Sequence, residues 1–193
     1  RQPLAYRLRP KTLDEVIGQE HLIGKGQVIR KCIENKTIFS MIFFGEPGTG
    51  KTTLATVIAN ELQLPYRMFN AVTGNKKDLT IIFEEAKLSS NLIVIIEEIH
   101  RLNKDKQDLL LPYVEDGTVT MIGTTTSNPY FAINPAIRSR CHLFEIKPLS
   151  IADVELAIDR ALANREVFPE EITIDPEAKL LIATHSNGDL RYA

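Results

Sequence analysis

The sequence predicts an α/β protein: a three-layer αβα sandwich around a mostly parallel five-stranded sheet, followed by a partial all-helical domain. Three observations support this expectation. Short apolar runs alternate with helical patterns along most of the chain, one of those runs is apolar without interruption, and the pattern changes to helices alone after Lys147-Pro148-Leu149. We therefore predict a core domain over residues 1–147 and the first part of a truncated helical domain over residues 148–193.

Five short apolar runs are the expected strands. The run from Asn91 to Ile96 contains only apolar residues after its first position, which is typical of a parallel strand covered by helices on both faces. We place this strand at the centre of the sheet. The other predicted strands cover residues 40–44, 66–70, 118–125 and 141–146.

Two helices are predicted after residue 148. Ser150 followed by Asp153 matches a capping box at the start of a helix over residues 151–163. Asp175-Pro176 has the cap and first-turn residues of a second helix. The chain begins without methionine and stops inside this helical region, so we expect it to be an excerpt of a longer protein.

Residues 45–52 match the phosphate-binding pattern G-x-x-x-x-G-K-[ST], between the run 40–44 and a helical pattern over Thr53–Leu62. Glycines allow the backbone N–H groups to turn toward the β- and γ-phosphates of a nucleotide, where Lys51 adds a cation, and the hydroxyl of Thr52 can ligate Mg²⁺. The alternative is a Gly/Pro turn between two elements. The nucleotide-binding residues predicted here are Glu46, Pro47, Gly48, Thr49, Gly50, Lys51, Thr52 and Thr53.

The central strand leads into Glu97-Glu98, which places two carboxylates at the carboxyl edge of the sheet, where open α/β sheets bind ligands. Phosphoryl transfer requires acids at this position. Glu97 is predicted to hold the Mg²⁺ shell, and Glu98 to orient or deprotonate the attacking water. The alternative is a pair of solvated acids at a strand end.

Composition limits the other possibilities. The net charge of −2 provides no overall attraction to nucleic acid, so any DNA contact must come from a local patch. Cys32 and Cys141 are far apart and lack metal-ligand spacing, which argues against a disulfide framework or a zinc site. No leader or membrane-spanning run is seen, so we expect a cytosolic protein without a membrane partner.

The chain resembles the AAA+ ATPases in its phosphate-binding loop and in the acids that follow residues 93–96. Further elements resemble the replication-associated recombination protein A family of the clamp-loader clade, which includes the Werner helicase-interacting protein. The resemblance runs from Pro3 to Arg191 and implies ATP with Mg²⁺ in an AAA+ core followed by a lid. The matching segments are Pro3-Leu4-Ala5, Gly18–Leu22, Ile99–Lys104, Gly123–Pro129 and Asn134-Pro135-Ala136.

The resemblance also implies which residues contact the adenine. These are Leu4 and Ala5 in the N-terminal arm and Ile17 and Gly18 further along. The alternative is that the segment only packs, since Leu13, Val16 and Ile17 have helical spacing.

Several catalytic roles follow from the resemblance. Thr126 matches sensor 1, a polar group that positions the lytic water, with Thr125 as its close rival. Arg140 matches the arginine finger that reaches the nucleotide of a neighbouring subunit; the alternative is that it forms, with Arg138, a solvated arginine pair. Arg191 matches sensor 2, which folds the lid onto the nucleotide.

Two further residues leave alternatives open. Asn70, at the end of a predicted strand, is expected either to restrain Glu98 while the site is idle or to cap a turn. Glu97 stands where related families have aspartate, and its extra methylene extends the carboxylate by roughly 1.5 Å, about one C–C bond. Small misplacements can lower a rate about 10²-fold, so we predict a measurable but weak ATPase.

The functional expectation is an ATP-hydrolysing module of a DNA replication, recombination or repair factor that acts at stalled forks or recombination intermediates. The implied partners are single-stranded or forked DNA, replication proteins such as single-strand binding protein, and further copies of the chain, in a nucleoid-associated cytoplasmic assembly. The basic run from His100 to Lys106 is either a solvated face or a contact with DNA phosphates. The alternatives are a nucleotide-stabilised scaffold with little hydrolysis, a clamp-loader subunit and a Holliday-junction branch-migration subunit.

Overall fold

The computed structural model describes residues 2–193 and contains one five-stranded sheet in the order β2-β3-β4-β1-β5. Every neighbouring pair in the sheet is parallel, which confirms the predicted fold class. The strands are β1 Met41–Phe44, β2 Tyr66–Asn70, β3 Leu92–Glu97, β4 Val119–Thr125 and β5 His142–Glu145.

The central strand is shifted by one residue from its predicted bounds. Asn91 has a left-handed backbone with φ 63°, so it belongs to the turn that precedes β3. The strand continues to Glu97, and Glu98 leaves it with φ 56°. The two neighbouring acids therefore differ in backbone conformation, since Glu97 is held in the sheet ladder and Glu98 lies in the turn that follows.

Helices cover both faces of the sheet and continue after it. Asn75 caps α5 through a capping box with Asp78, and Ser150 and Asp153 form the predicted box at the start of α9. Asp175 accepts a hydrogen bond from the backbone of Glu177 at the start of α10. The helices are α1 Leu4–Arg7, α2 Glu20–Ile23, α3 Val28–Glu34, α4 Lys51–Glu61, α5 Lys76–Leu88, α6 Lys104–Glu115, α7 Pro129–Ala132, α8 Pro135–Arg138, α9 Ile151–Leu162 and α10 Pro176–His185.

The hydrophobic core has two layers, one on each face of the sheet, and β3 supplies both. Its residues alternate between the layers, with Val94 and Ile96 on one face and Ile93 and Ile95 on the other. All four are fully buried. Burial of such a side chain contributes about 2 kcal/mol, so the strand that carries the acids is also a major source of stability.

The C-terminal segment has a much smaller core. Leu149, Val154 and Ala183 are buried there, and Ile158 and Leu190 pack against them. Residues 2–193 contain only the two helices α9 and α10 in this segment and not a complete helical lid domain.

None of the helices in the described part of the chain is both long enough and apolar enough to cross a lipid bilayer.

Candidate nucleotide-binding site

The phosphate-binding loop connects β1 to α4. Gly48 and Gly50 have φ of 77° and 89°, a left-handed conformation that glycine adopts readily. Gly50 is the N-terminal cap residue of α4, and no side chain caps this helix end. The free N–H groups of the first turn and the positive end of the helix dipole together form an anion-binding site.

Lys51 is only 8% exposed and occupies the first position of α4. Its ammonium donates to the carbonyls of Gly45 at 2.8 Å and Glu46 at 2.6 Å, and contacts the hydroxyl of Thr49 at 3.3 Å. Burial lowers the pKa of Lys51, while the nearby carboxylate of Glu98 opposes that shift. Phosphate oxygens are stronger acceptors than neutral carbonyls, so the ammonium can exchange these partners for a nucleotide.

The two predicted metal ligands lie together. Thr52, in the first turn of α4, donates its hydroxyl hydrogen to Oε1 of Glu97 at 3.2 Å, so the longer glutamate reaches the phosphate-binding helix. Residues 2–193 contain no cluster of three or more potential metal-ligating side chains. One carboxylate and one hydroxyl suit Mg²⁺, because this ion completes its shell with water and nucleotide phosphates.

Glu98 contacts His100, whose Nε2 lies 3.5 Å from Oε2 of the carboxylate. The other ring nitrogen of His100, Nδ1, lies 2.7 Å from the hydroxyl of Thr125. That hydroxyl also accepts a hydrogen bond from the backbone N–H of Ser127 at 3.0 Å. Of the two sensor 1 candidates, Thr125 is therefore the one connected to Glu98, whereas Thr126 is exposed just beyond β4.

Asn70 adopts the second of its two expected roles. Its side-chain oxygen accepts hydrogen bonds from the backbone N–H groups of Val72 at 2.8 Å and Thr73 at 3.2 Å. Asn70 therefore caps the turn after β2, and the residue that contacts Glu98 is His100 instead.

The two arginines of the 138–140 segment have different partners. Arg138 donates to the carbonyls of Tyr130 and Ile133, so it fixes the backbone of its own loop. Arg140 is 40% exposed at its side chain and pairs with Glu115 at 2.8 Å; its Nη1 also donates to the carbonyl of Ala136 at 3.1 Å and the hydroxyl of Ser139 at 3.2 Å. A surface ion pair of this kind is weak, which leaves Arg140 able to exchange partners.

Arg191 is held by Asp189 and not by the loop. Three hydrogen bonds join the guanidinium to the carboxylate: Nε donates to Oδ1 at 3.0 Å and to Oδ2 at 3.2 Å, and Nη2 donates to Oδ2 at 2.6 Å. Hydrogen bonding by Arg191 lowers the pKa of Asp189. The carboxylate also packs against the phosphate-binding loop, because a Cβ on Gly48 would lie 1.9 Å from Cγ of Asp189.

The predicted adenine-side residues are separated in the structure. Ile17 and Gly18 line a cavity of about 520 Å³ between the N-terminal segment and α9. Gly18 has φ 79°, and a Cβ there would lie 2.7 Å from Cδ2 of Leu149, so the segments are in close contact. Leu4 and Ala5 are exposed on α1 and are not among the residues lining that cavity.

Sequence reasoning missed two residues of this site. In the sequence, His100 stands out only as the start of a basic run, and no pattern marks Asp189. The order of residues along the chain shows no contact between His100 and Thr125 or between Asp189 and Gly48. Both contacts join segments that only the fold brings together.

A phosphate-binding loop beside an acid pair, on a parallel sheet in the order β2-β3-β4-β1-β5, defines an AAA+-type P-loop nucleotide-binding domain. Residues 8–135 match the family model described as the Holliday junction DNA helicase RuvB P-loop domain. The chain belongs to this family.

The relatives confirm the resemblance drawn from the sequence. The chain is 46% identical to the replication-associated recombination protein A of Bacillus subtilis, a match that covers 100% of the chain and 46% of that protein. The Escherichia coli K12 protein of the same name is 41% identical, with 100% and 44% covered. ATPase WRNIP1 of Dictyostelium discoideum is 36% identical, with 99% and 22% covered. The chain thus spans less than half the length of these relatives.

Solved structures agree on the fold. The Thermotoga maritima RuvB Holliday junction branch migration motor superimposes with a TM-score of 0.81 and 31% identity. The match covers 96% of this chain and 62% of that one. The agreement includes the region after β5, because it extends over nearly the whole chain.

Proposed function

We propose that this chain is the ATP-binding and ATP-hydrolysing module of a factor in DNA replication, recombination or repair that acts at stalled forks or recombination intermediates. The observation that carries the proposal is the contact between Thr52 and Glu97 beside the phosphate-binding loop, with Glu98 next to it. The setting in DNA metabolism rests on the names of the relatives, replication-associated recombination protein A and RuvB.

Different residues of the chain bind the phosphates, the Mg²⁺ and the adenine. The backbone N–H groups of residues 46–53 and the ammonium of Lys51 hold the phosphates of ATP. Thr52 and Glu97 hold Mg²⁺, which neutralises charge on the transferred phosphate when bound. Ile17 and Gly18 contact the adenine, together with Leu4 and Ala5 of α1.

The catalytic roles follow the geometry of the sheet edge. Glu98 orients or deprotonates the attacking water, with Thr126 or Thr125 as the second polar group at the end of β4. Arg140 leaves Glu115 to reach the nucleotide of a neighbouring copy, and Arg191 leaves Asp189 to reach the nucleotide of its own copy. Charge stabilisation by such an arginine raises rates about 10³- to 10⁵-fold in other phosphate-loop enzymes.

The proposed assembly is a homo-oligomer, because an arginine that acts on a neighbour requires one. Its proposed partners are single-stranded or forked DNA and replication proteins such as single-strand binding protein, in a nucleoid-associated cytoplasmic setting. DNA contact comes from a local basic patch such as the run from His100 to Lys106, since the net charge is −2. Residues 148–193 form the first part of the lid, with the domain boundary at residue 147.

A second candidate function is a scaffold that ATP stabilises without frequent hydrolysis. Glu97 favours it, because the extra methylene changes how the carboxylate holds the Mg²⁺ shell. We propose that this departure makes turnover weak. Changing Glu97→Asp should then raise the steady-state rate about tenfold, within the 10²-fold range of misplaced groups. An unchanged rate would remove Glu97 as a cause of slow turnover.

The primary experiment measures single-turnover and steady-state ATP hydrolysis by the full-length protein, with and without single-stranded and forked DNA. The matched variants are Lys51→Ala and Arg140→Ala. We expect DNA to stimulate hydrolysis and each variant to abolish that stimulation. Tight ATP binding without turnover would instead support the scaffold.

Mixing the two variants tests the neighbouring-subunit role of Arg140. A Lys51→Ala subunit has an intact Arg140, and an Arg140→Ala subunit has an intact loop. Mixed assemblies should therefore recover part of the hydrolysis that both pure variants lack. No recovery at any mixing ratio would argue that Arg140 does not act between subunits.

A further inference from the structure

The side chain of Glu98 is poorly restrained by its own position. Glu98 follows the end of β3 with φ 56°, outside the hydrogen-bonded ladder, and its side chain is 40% exposed. A long exposed carboxylate samples several rotamers, and holding it in one of them requires a partner. Within residues 2–193, its only ion-pair partner is His100.

His100 is anchored more firmly than the residue it contacts. Its side chain is 16% exposed, and its Nδ1 lies 2.7 Å from the hydroxyl of Thr125. Thr125 is 1% exposed at the end of β4, where the N–H of Ser127 also donates to its hydroxyl. A continuous set of contacts thus runs from a buried strand through the imidazole to the partly exposed carboxylate.

The hydrogen-bond donors and acceptors of Thr125, His100 and Glu98 match one another. When the hydroxyl of Thr125 donates to Nδ1, the hydrogen of the neutral imidazole is on Nε2 and faces Glu98. The Nε2–Oε2 separation of 3.5 Å is long for a hydrogen bond. Contacts of catalytic groups are often long in the absence of substrate and shorten in the reacting complex.

We propose that His100 is a positioning residue that orients Glu98 for its reaction with water and depends on Thr125 to do so. This inference rests on the proposed function, because it assigns a role in ATP hydrolysis. It deepens that function by placing the orienting group on the turn after β3 and tying it to the neighbouring strand β4.

The test uses the full-length protein and separates turnover from binding. In His100→Ala we expect kcat to fall between about tenfold and 10²-fold, as for other misplaced catalytic groups. The affinity for ATP, measured by calorimetry, should stay within about twofold, because the polar partners of the His100 ring are Thr125 and Glu98, which lie outside the phosphate-binding loop. The matched control is His142→Ala at an exposed position of β5, where the ring packs against Phe39 and Phe144; it should leave kcat unchanged.

Two substitutions at Thr125 distinguish positioning from packing. Thr125→Ser keeps the hydroxyl and should retain most of the turnover, whereas the isosteric Thr125→Val should lower kcat about as much as His100→Ala. The double variant His100→Ala/Thr125→Val should be no slower than the slower single variant, since both changes break one chain of contacts. Additive losses would overturn the proposal, as would full activity in Thr125→Val.

Glu98→Gln separates failure of this inference from failure of the proposed function. Wild-type turnover in Glu98→Gln would overturn the catalytic assignment of Glu98, and the inference with it. Loss of turnover in Glu98→Gln with wild-type turnover in His100→Ala would overturn only the role of His100. A raised kcat, or an equal loss of ATP affinity, in His100→Ala would also contradict positioning.

Discussion

The carboxyl edge of the sheet and the C-terminal segment differ in the number of buried apolar side chains that support them. At the sheet edge, Lys51, Thr52 and Glu97 extend from elements whose inner residues are fully buried. In the C-terminal segment, only Leu149, Val154 and Ala183 are buried hydrophobic residues of the local core. The residues proposed to bind phosphate and metal lie in the first region, and Arg191, which we propose changes partner, lies in the second.

The cationic side chains of the proposed site also differ in their burial. The ammonium of Lys51 is buried among carbonyls of the loop, whereas Arg140 and Arg191 are partly exposed and paired with Glu115 and Asp189. Exposed pairs contribute only about 0.2–1 kcal/mol, so nucleotide phosphates can compete for these arginines. The structure thus shows both proposed mobile arginines held by carboxylates of their own chain.

The largest expected effect comes from comparing one alanine substitution in each of the two regions. Ile95→Ala removes a fully buried side chain of β3 and should lower the free energy of unfolding by about 2–5 kcal/mol. Leu181→Ala, on α10, removes a side chain that is 59% exposed and should change it by less than about 0.5 kcal/mol. Urea denaturation of the 193-residue chain measures both. Equal losses in the free energy of unfolding would contradict this difference between the two regions.

The second prediction compares a buried and a surface cation. Lys51→Ala should weaken ATP binding about 10²-fold, because charge-assisted hydrogen bonds to phosphate contribute about 1.5–3 kcal/mol. Lys179, whose side chain pairs with Asp159 at 3.2 Å on the C-terminal helices, provides the control. Lys179→Ala should change the affinity less than about twofold. Calorimetric titration with ATP and Mg²⁺ decides between these outcomes.

A third prediction concerns the contact between the two regions. Gly48→Ala introduces a Cβ 1.9 Å from Cγ of Asp189 in a residue with φ 77°, whereas Gly117 has φ 79° and open space around it. Gly117→Ala should therefore lower the free energy of unfolding only by the cost of a left-handed alanine, about 1–2 kcal/mol. Gly48→Ala should lower it by more. Urea denaturation measures both, and limited proteolysis should show release of the segment after α9 in Gly48→Ala alone. Equal stability would mean that Asp189 does not hold the segment.

The smallest effect is a pH dependence of that same contact. Arg191 lowers the pKa of Asp189, so the ion pair stabilises the folded state above the unfolded pKa of about 3.9. The contribution is lost as pH falls through the lower folded pKa, and it stays below about 1 kcal/mol because Arg191 is largely exposed. Hydrogen exchange of residues 186–191, corrected for intrinsic rates, should be unchanged between pH 7 and 5 and faster at pH 3.

Asp189→Asn provides the control for the pH prediction. It removes the titrating carboxylate while keeping a side chain of similar size. Exchange in this variant should be faster than in the wild type at pH 7 and pH 5, and it should lose the step between pH 5 and pH 3. A step of the same size in Asp189→Asn would assign the effect to another carboxyl group.

Patterns of residues close together along the chain could be predicted from the sequence, whereas contacts between distant segments could not. The phosphate-binding loop, the acid pair and the capping box of Ser150 and Asp153 were predicted because each is a pattern of residues close together along the chain. The choice between Thr125 and Thr126 could not be made this way, since both are polar residues at the end of a strand. Only the fold places the hydroxyl of Thr125 beside His100, and that contact crosses from β4 to the turn after β3.

The sequence by itself determined the α/β class, the parallel sheet and the phosphate-binding motif. Hydrophobic periodicity and glycine-rich turns act over a few residues, so their physics is visible in the order of residues. Only the tertiary structure decided that His100 joins Glu98 to Thr125, that Asp189 rests against Gly48, and that Asn70 caps a turn. These choices depend on distances between elements far apart in the chain, which packing of the two cores sets.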